Sequence, residues 1–563
     1  MAEPDARTSR MTRFAATLHP WGVVAATLAY IVALSPSLLP RDWFYQGVVS
    51  GVAAGLTYPL GFVAQWLWHT LPGSWRASPR TRWIVERVAP VIAVLWIIGF
   101  VIAARGWQND LAALTGAPLP SLWGSLLIVP TGLAFFLLII GVGRIIGWLA
   151  RRIARRLPGS WQDTVRASVA WVLVLIVGAW VVERALPGTL VAGAERAFAV
   201  VNTVPDAPAP EQPQRSGSPQ SRIAHENTGK QGARFLAQGL DAAGLAQATG
   251  SPAREPIRIY PGALAAPTDR ERAELAIAEL ERTGAAEREA MLLVMTTGTG
   301  WVNLHAAQAF EMLYGGDTAI VAEQYSNIPS AYHFFTDGHD VATAGRDFLG
   351  PIIDWWNTLD PETRPELYLY GESLGTTGVE TAFSGMRDII ASVDGILLAG
   401  PPNFNPLHTE LTEVRDPDSR EVLPRLSEVT AVRFADDRDM IRTWYGDGAA
   451  PDWGPTRVLY IQNASDPVVW WSPQLLFQEP DWLKEEAGRD RLPQMRWFPI
   501  ITFLQVAADL PVSQNAPQGS GHNYGADLLD GFAAIAGPDR FTPEQVAGLY
   551  APYAAATKAE PIR

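Results

Sequence analysis

Before residue 190 the chain carries five long apolar segments, at about Trp21–Leu39, Gln46–Leu67, Val88–Ala104, Leu122–Gly143 and Ser168–Val182. Each approaches or exceeds the roughly 20 residues that a helix needs to cross the hydrocarbon core of a bilayer. Lipid offers no partner to a backbone N–H or C=O, so such a segment can satisfy its own backbone there only as a closed helix. A water-soluble helical core seldom repeats runs this long with so few charges. The pattern predicts an N-terminal transmembrane helix bundle of about five spans, occupying residues 1–200.

Arginine placement orients that bundle. Arg7, Arg10 and Arg13 precede the first span; Arg76, Arg80, Arg82 and Arg87 separate the second from the third; Arg144, Arg151, Arg152, Arg155, Arg156 and Arg166 lie between the fourth and fifth. The intervening loops hold little beyond Arg41 and Arg105. Basic loops stay in the cytoplasm, so five spans put the N-terminus inside and the C-terminal part outside a bacterial cytoplasmic membrane. The basic start resembles a signal peptide, but no small-residue cleavage site follows it and further spans do. Gly47, Gly51 and Gly55 recur at four-residue spacing, a small-residue face for close helix packing within the bundle. Trp21, Trp43, Trp66, Trp68, Trp83, Trp107, Trp123 and Trp148 fall near span ends, where indoles prefer the headgroup region. No intramembrane acid pair points to a transporter.

Val204 to Ser221 holds Pro205, Pro208, Pro210, Pro213 and Pro219 among Gln, Ser and charge, and reads as a semi-rigid tether. Residues 201–254 are therefore expected to be a linker with one helix within Gln231–Ala246. Beyond it the pattern alternates: strand Ile257–Tyr260, helix Asp269–Thr283, strand Met291–Met295, helix from His305, strand Thr318–Ala322, helix Arg346–Thr358. That rhythm belongs to a mostly parallel sheet, an α/β domain over 255–563.

The next strand runs into Gly371-Glu-Ser-Leu-Gly375. A serine flanked at two residues on each side by glycine, between a strand and a helix (here Thr376–Met386), is the pattern of a nucleophile elbow. A base and an orienting acid must follow it in the order acid, then histidine. Only His408 and His522 lie downstream. His408 closely follows the strand Gly395–Ala399, whereas His522 stands in a late small-residue loop, Ser520-Gly-His-Asn-Tyr524, and is the better base. Asp466, in the loop after Arg457–Gln462, is the expected acid, with Asp437 and Asp439 as runners-up. Oxyanion donors are expected from the amide of Leu374 and from the loop Gly298, Thr299, Gly300 and Trp301, which follows a strand. That loop lacks the spacing of a phosphate-binding or dinucleotide motif.

Several longer runs resemble a family of bacterial membrane-anchored alpha/beta-hydrolases with a multi-spanning N-terminal domain. They are Thr297-Gly-Thr-Gly-Trp301, Glu323-Gln-Tyr-Ser326, Gly371-Glu-Ser-Leu-Gly375, Gly400-Pro-Pro-Asn403, Ala464-Ser-Asp-Pro-Val-Val-Trp-Trp-Ser-Pro473, Trp497-Phe-Pro-Ile-Ile-Thr-Phe503 and Gly521-His-Asn-Tyr524. The resemblance spans nearly the whole chain. It implies an α/β-hydrolase fold and a serine mechanism, with Ser373, Asp466 and His522 at positions matching the family's motifs, and it names no substrate.

Net charge is −13, yet residues 1–187 hold 16 Arg against 7 Asp and Glu, so the remainder is strongly acidic. An acidic domain is a poor partner for nucleic acid. The chain has no Cys, which excludes disulfides and a thiol nucleophile, and its histidines show no metal-binding spacing. We therefore expect no metal or other cofactor. The leading expectation is a serine esterase held at the outer face of the membrane and acting on a lipid ester, acyl or aminoacyl. A lipid transacylase using the same triad and a non-catalytic binding module are the alternatives. Trp470, Trp471, Trp497 and Phe498 offer either an apolar entry for such a lipid or ordinary packing.

Overall fold

The computed structural model describes residues 18–71, 78–185, 189, 198, 201–328, 339–445, 453–537 and 539–558. These form two compact units. One comprises residues up to 182 together with 471–517, and the other comprises 183–470 with 518 to the C-terminus.

The first unit is helical: α1 (Pro20–Val32), α2 (Trp43–Thr57), α3 (Leu60–Thr70), α4 (Pro79–Thr115), α5 (Leu122–Ala154) and α6 (Asp163–Trp180). Among the described residues four stretches are long and apolar enough to cross a membrane: Trp43–Thr70, Arg87–Thr115, Leu122–Ala154 and Asp163–Trp180. Leu95, Ile102, Leu126, Ile145 and Leu175 are each more than half exposed, a surface suited to lipid and costly in water. The expected first span is shorter than read. At 13 residues α1 rises only ~20 Å against a ~30 Å core, because Ser35-Pro-Ser37 and Pro40 cannot continue the helix. Its basic flank, Arg7 to Arg13, lies outside the described residues.

Caps and glycines set the packing. Asp42 accepts hydrogen bonds from the amides of Phe44 and Tyr45 and so starts α2. Gly47, Gly51 and Gly55 face α5, where a Cβ would stand 2.7 Å from Thr131, 2.3 Å from the Gly132 carbonyl oxygen and 2.6 Å from Ile139. Only glycine permits that approach, so the spacing serves packing inside the bundle.

Residues 471–517 were expected to belong to the α/β domain, but they pack within the helical unit. From the helix Ile501–Asp509, Gln505 Nε2 donates to the Ser35 carbonyl at 3.0 Å, and Asp509 accepts from the Ser37 hydroxyl, the Leu38 amide (3.1 Å) and Arg41 Nε (2.6 Å). Pro517 touches the α4 terminus at Gly116. This segment therefore caps the end of the bundle opposite the arginine-rich end of α5. Trp497 donates Nε1 to the Leu475 carbonyl, Phe498 packs on the cluster of Ala29, Ala33, Val49 and Ala53, and Trp471 packs on Phe503 at 5.2 Å. Trp470 is buried, with Nε1 on the Asn463 carbonyl. All four make packing contacts, and Trp497 and Phe498 stay half-buried.

The second unit is built on a seven-stranded, wholly parallel sheet: β1 (Ile257–Ile259), β2 (Ala290–Met295), β3 (Thr318–Ala322), β4 (Glu366–Glu372), β5 (Gly395–Ala399), β6 (Val432–Ala435) and β7 (Arg457–Ile461), in the order β1-β3-β2-β4-β5-β7-β6. Strands alternate their side chains between two buried cores. Leu292, Val294, Tyr368, Tyr370, Leu459 and Ile461 face one, while Met291, Leu293, Leu367, Leu369, Val458 and Tyr460 face the other. Burial on both faces explains why the strands read as continuous apolar runs.

The expected tether is part of this unit. Ser216 N donates to the Arg258 carbonyl (2.9 Å) and Arg258 N to Gln214 (3.1 Å), so extended, proline-bearing chain lies beside edge strand β1. Arg215 is buried and pairs with Glu255 at 3.0 Å, and Arg258 grips Glu311 by two bonds of 2.7 Å. Proline spacing signalled extension, and the unused edge of β1 supplied hydrogen bonds that composition alone hid. Two helices follow, Gly229–Ala237 and Ala242–Thr249, where one was expected. They break at Gly239, whose φ of 85° lets the backbone pass the Arg258 guanidinium; a Cβ would meet it at 2.2 Å.

Candidate active site

β4 ends at Glu372, and Ser373 follows with φ 56° and ψ −131°, a conformation that L-residues rarely hold. The surroundings impose it. Ser373 N donates to the Ala399 carbonyl at 2.9 Å, and helix α7 (Leu374–Thr381) starts at once, shorter than the expected Thr376–Met386. The two elbow glycines answer two close approaches. A Cβ on Gly371 would lie 2.7 Å from the Gly375 carbonyl oxygen, and one on Gly375 would lie 2.2 Å from that of Met295. A tight turn wedged between β2 and its own helix leaves room for no larger residue.

Asp466 lies five residues beyond β7 and is fully buried. Its Oδ2 accepts His522 Nδ1–H at 2.6 Å and the Tyr524 hydroxyl at 2.6 Å, while Oδ1 accepts the Val468 amide at 2.8 Å. The two loops are laced together: Asn463 Nδ2 donates to the Gly521 carbonyl (2.9 Å) and Gly521 N to Ser465 Oγ (2.7 Å). The His522 ring lies against Gly400, where a Cβ would come within 2.5 Å of Cε1. Gly400 directly follows Ala399, the acceptor of the Ser373 amide, and donates its own N–H to Ile461. Ser373, Asp466 and His522 thus stand at the C-terminal ends of the adjacent strands β4, β5 and β7, where open α/β sheets place their ligand sites.

The runners-up are occupied elsewhere. His408 is buried against the stacked rings of Phe434 and Tyr460, its Nε2 donates to Gln462 Oε1 at 2.8 Å, and burial pushes its pKa down to about 4. Asp437 caps the helix Arg438–Arg442 by accepting from the Met440 amide, and Asp439 is exposed on that helix.

In the loop after β2, Gly298 and Gly300 have positive φ. Gly300 spends its N–H on the Thr297 carbonyl at 2.7 Å, and its own carbonyl accepts the Tyr260 hydroxyl at 2.6 Å. Gly300 therefore shapes the loop and is not the free donor expected, and the Gly298 amide faces the Tyr325 hydroxyl. The loop is tied to the elbow through Glu372, whose Oε2 accepts Asn303 Nδ2 (2.6 Å) and the Tyr370 hydroxyl (2.5 Å). Asn303 also caps the helix Leu304–Leu313.

Two elements went unread in the sequence. Tyr524 was visible only as part of the run Gly521-His-Asn-Tyr524, and its hydroxyl is a second donor to the acid. Behind α7, Glu380 accepts from Asn405 Nδ2 (3.0 Å), the Leu407 and His408 amides and the Tyr460 hydroxyl (3.0 Å). Burial outweighs these donors and pushes Glu380 up to about 7. Among the described residues no group of three or more His, Asp or Glu is placed to hold a metal ion.

A parallel sheet with a strained serine elbow and a buried Asp–His pair on neighbouring strand ends defines an α/β-hydrolase fold. A model of an alpha/beta-hydrolase family matches residues 257–549, and a model of an alpha/beta-hydrolase family N-terminus matches 34–239. The first alone covers more than half of the chain, which belongs to that family. No curated protein and no solved structure matches the chain.

Proposed function

We propose that the protein is a membrane-anchored serine hydrolase that cleaves a lipid ester at the outer face of the cytoplasmic membrane. The observation that carries this reading is the Asp466–His522 bond of 2.6 Å beside the strained turn at Ser373. In the first half of the reaction His522 takes the Ser373 proton as the hydroxyl oxygen attacks the ester carbonyl. Asp466 holds the imidazole through Nδ1, so that Nε2 is the working nitrogen, and stabilises the imidazolium. The Leu374 amide and an amide of the 298–301 loop bind the tetrahedral oxyanion. His522 then returns its proton to the leaving alcohol, and water releases the acyl group by the same steps.

The lipid class and the location rest on separate supports. Four apolar helices hold the chain at a bilayer, and the arginine-rich loops flanking α3–α4 and α5–α6 favour the cytoplasm. The bundle end capped by 471–517 is then the outer one. This orientation is set by the four long helices and does not depend on α1. Outside the membrane neither ATP nor coenzyme A is supplied, which favours plain hydrolysis of acyl or aminoacyl lipid esters. The test is release of fatty or amino acid from glycerolipid and aminoacyl-phosphatidylglycerol substrates in mixed micelles by the full chain. Turnover should fall by about 10^4-fold in Ser373→Ala. Equal turnover in that variant overturns the mechanism, and hydrolysis of soluble short-chain esters alone overturns the lipid class.

A further inference from the structure

The helical unit encloses a cavity of about 330 Å3 at the end capped by Val512 and Asn515–Pro517. Its floor is apolar, made by Leu34, Val101, Ala104 and Ile128, and its lining includes Arg41 and the partly exposed Arg105. Arg41 has a fully buried side chain. Its Nε donates to Asp509 and its Nη1 to Gln46 Oε1 (3.1 Å), while Nη2 is buried with no hydrogen-bond partner among the described residues. Asp509 is at the same time engaged by Ser37, Leu38 and Leu39. Arg105 Nη1 donates only to neutral oxygens, the Ser121 carbonyl (3.2 Å) and Ser125 Oγ (2.8 Å), and no carboxylate pairs with it among the described residues. Asp42, the remaining acid on the lining, is exposed and spends Oδ1 on capping α2.

One helical turn deeper, a second opening of about 140 Å3 runs along the same elements, lined by Tyr30, Ala93, Ile97, Val129 and Leu133. Tyr30 and Ile97 each precede a residue of the upper floor, Leu34 and Val101, by four positions, a step of about 6 Å. This lower groove is apolar. The hydroxyls of Thr27 and Tyr30 are already donated to the carbonyls of Val23 and Ile128. Trp43 lines the upper cavity and Trp123 follows Ser121 on its rim, indoles at the depth where headgroups lie.

We propose that the helical unit binds one anionic phospholipid, with its phosphate at Arg105 and an acyl chain in the apolar groove below. A guanidinium holds phosphate in a fork of parallel hydrogen bonds, and Arg105 has no carboxylate among the described residues to satisfy its charge. A charged group above an apolar groove matches an amphiphile and does not match a free anion. This unit contains none of Ser373, Asp466 and His522, so the inference stands apart from the hydrolase reading.

The experiment is native mass spectrometry of the full chain in detergent, titrated with dioleoyl-phosphatidylglycerol, dioleoyl-phosphatidylcholine or inorganic phosphate. We expect one retained phosphatidylglycerol per chain, bound at least tenfold more tightly than phosphatidylcholine, and no competition by millimolar phosphate. Arg41→Gln strips a buried carboxylate of its counter-ion and endangers folding, so Arg105→Gln carries the test. It should weaken phosphatidylglycerol binding about tenfold while leaving the lipid-free melting temperature unchanged. Ala93→Trp, which fills the lower groove, should weaken the dioleoyl lipid and spare a short-chain analogue. Equal retention of the two lipids, or unchanged binding in Arg105→Gln, overturns the anion site; full displacement by phosphate overturns the lipid. Ser373→Ala must bind as the parent does, which separates this outcome from any failure of the hydrolase reading.

Discussion

Replacing Tyr524 by Phe removes a single hydroxyl and leaves the ring edge-on to His522 at 5.7 Å. That hydroxyl donates to Asp466 Oδ2 at 2.6 Å, one of three hydrogen bonds that hold the carboxylate, and it accepts the Asn463 amide at 3.2 Å. A hydrogen bond to a charged group contributes about 1.5–3 kcal/mol, and part of it is lost from the carboxylate that orients the His522 ring. Fluorophosphonate labelling of Tyr524→Phe should therefore slow by about 3–30-fold. The melting temperature should fall too, since the Asn463 amide loses its acceptor. An unchanged labelling rate in Tyr524→Phe, with only the melting temperature lowered, would make Tyr524 a packing residue and refute this reasoning.

Gly375→Ala drives a Cβ to 2.2 Å from the Met295 carbonyl oxygen, so the elbow must shift. The expected cost is about 1–3 kcal/mol in denaturant unfolding and about 100-fold in labelling rate. Glu380, raised from 4.5 to about 7, binds its proton more tightly folded than unfolded. Its contribution to stability is complete below about pH 4.5 and is lost as pH rises through about 7, a fall on the order of 3 kcal/mol that Glu380→Gln should flatten. A reporter active only outside the cytoplasm should be active when fused near Gln220 and silent near Arg155; the reverse pattern returns cytosolic thioesters to the substrate list.

What was legible in the sequence follows from how local each signal is. The elbow, the strand runs of β2, β3, β5 and β7 and the helix Asp269–Thr283 were readable because glycine spacing and apolar runs are written in adjacent residues. Asp466 and His522 were readable as loop positions, while their bond joins residues 56 apart and only the fold displays it. Pairings across still longer separations were invisible. Asp509 meets Arg41 across 468 positions, so segment 471–517 read as more of the α/β domain. The proline-rich stretch beside β1 was misjudged for a related reason, because composition reports what a segment lacks for a core and says nothing of a sheet edge waiting elsewhere.

The most direct test of the central claim is intact-protein and peptide mass spectrometry of the full chain after reaction with a fluorophosphonate. One adduct per chain is predicted, on Ser373, absent in Ser373→Ala and strongly slowed in His522→Ala and Asp466→Asn, with all variants inserted in the membrane as the parent is. Labelling that persists in Ser373→Ala, or that falls on another residue, contradicts the account.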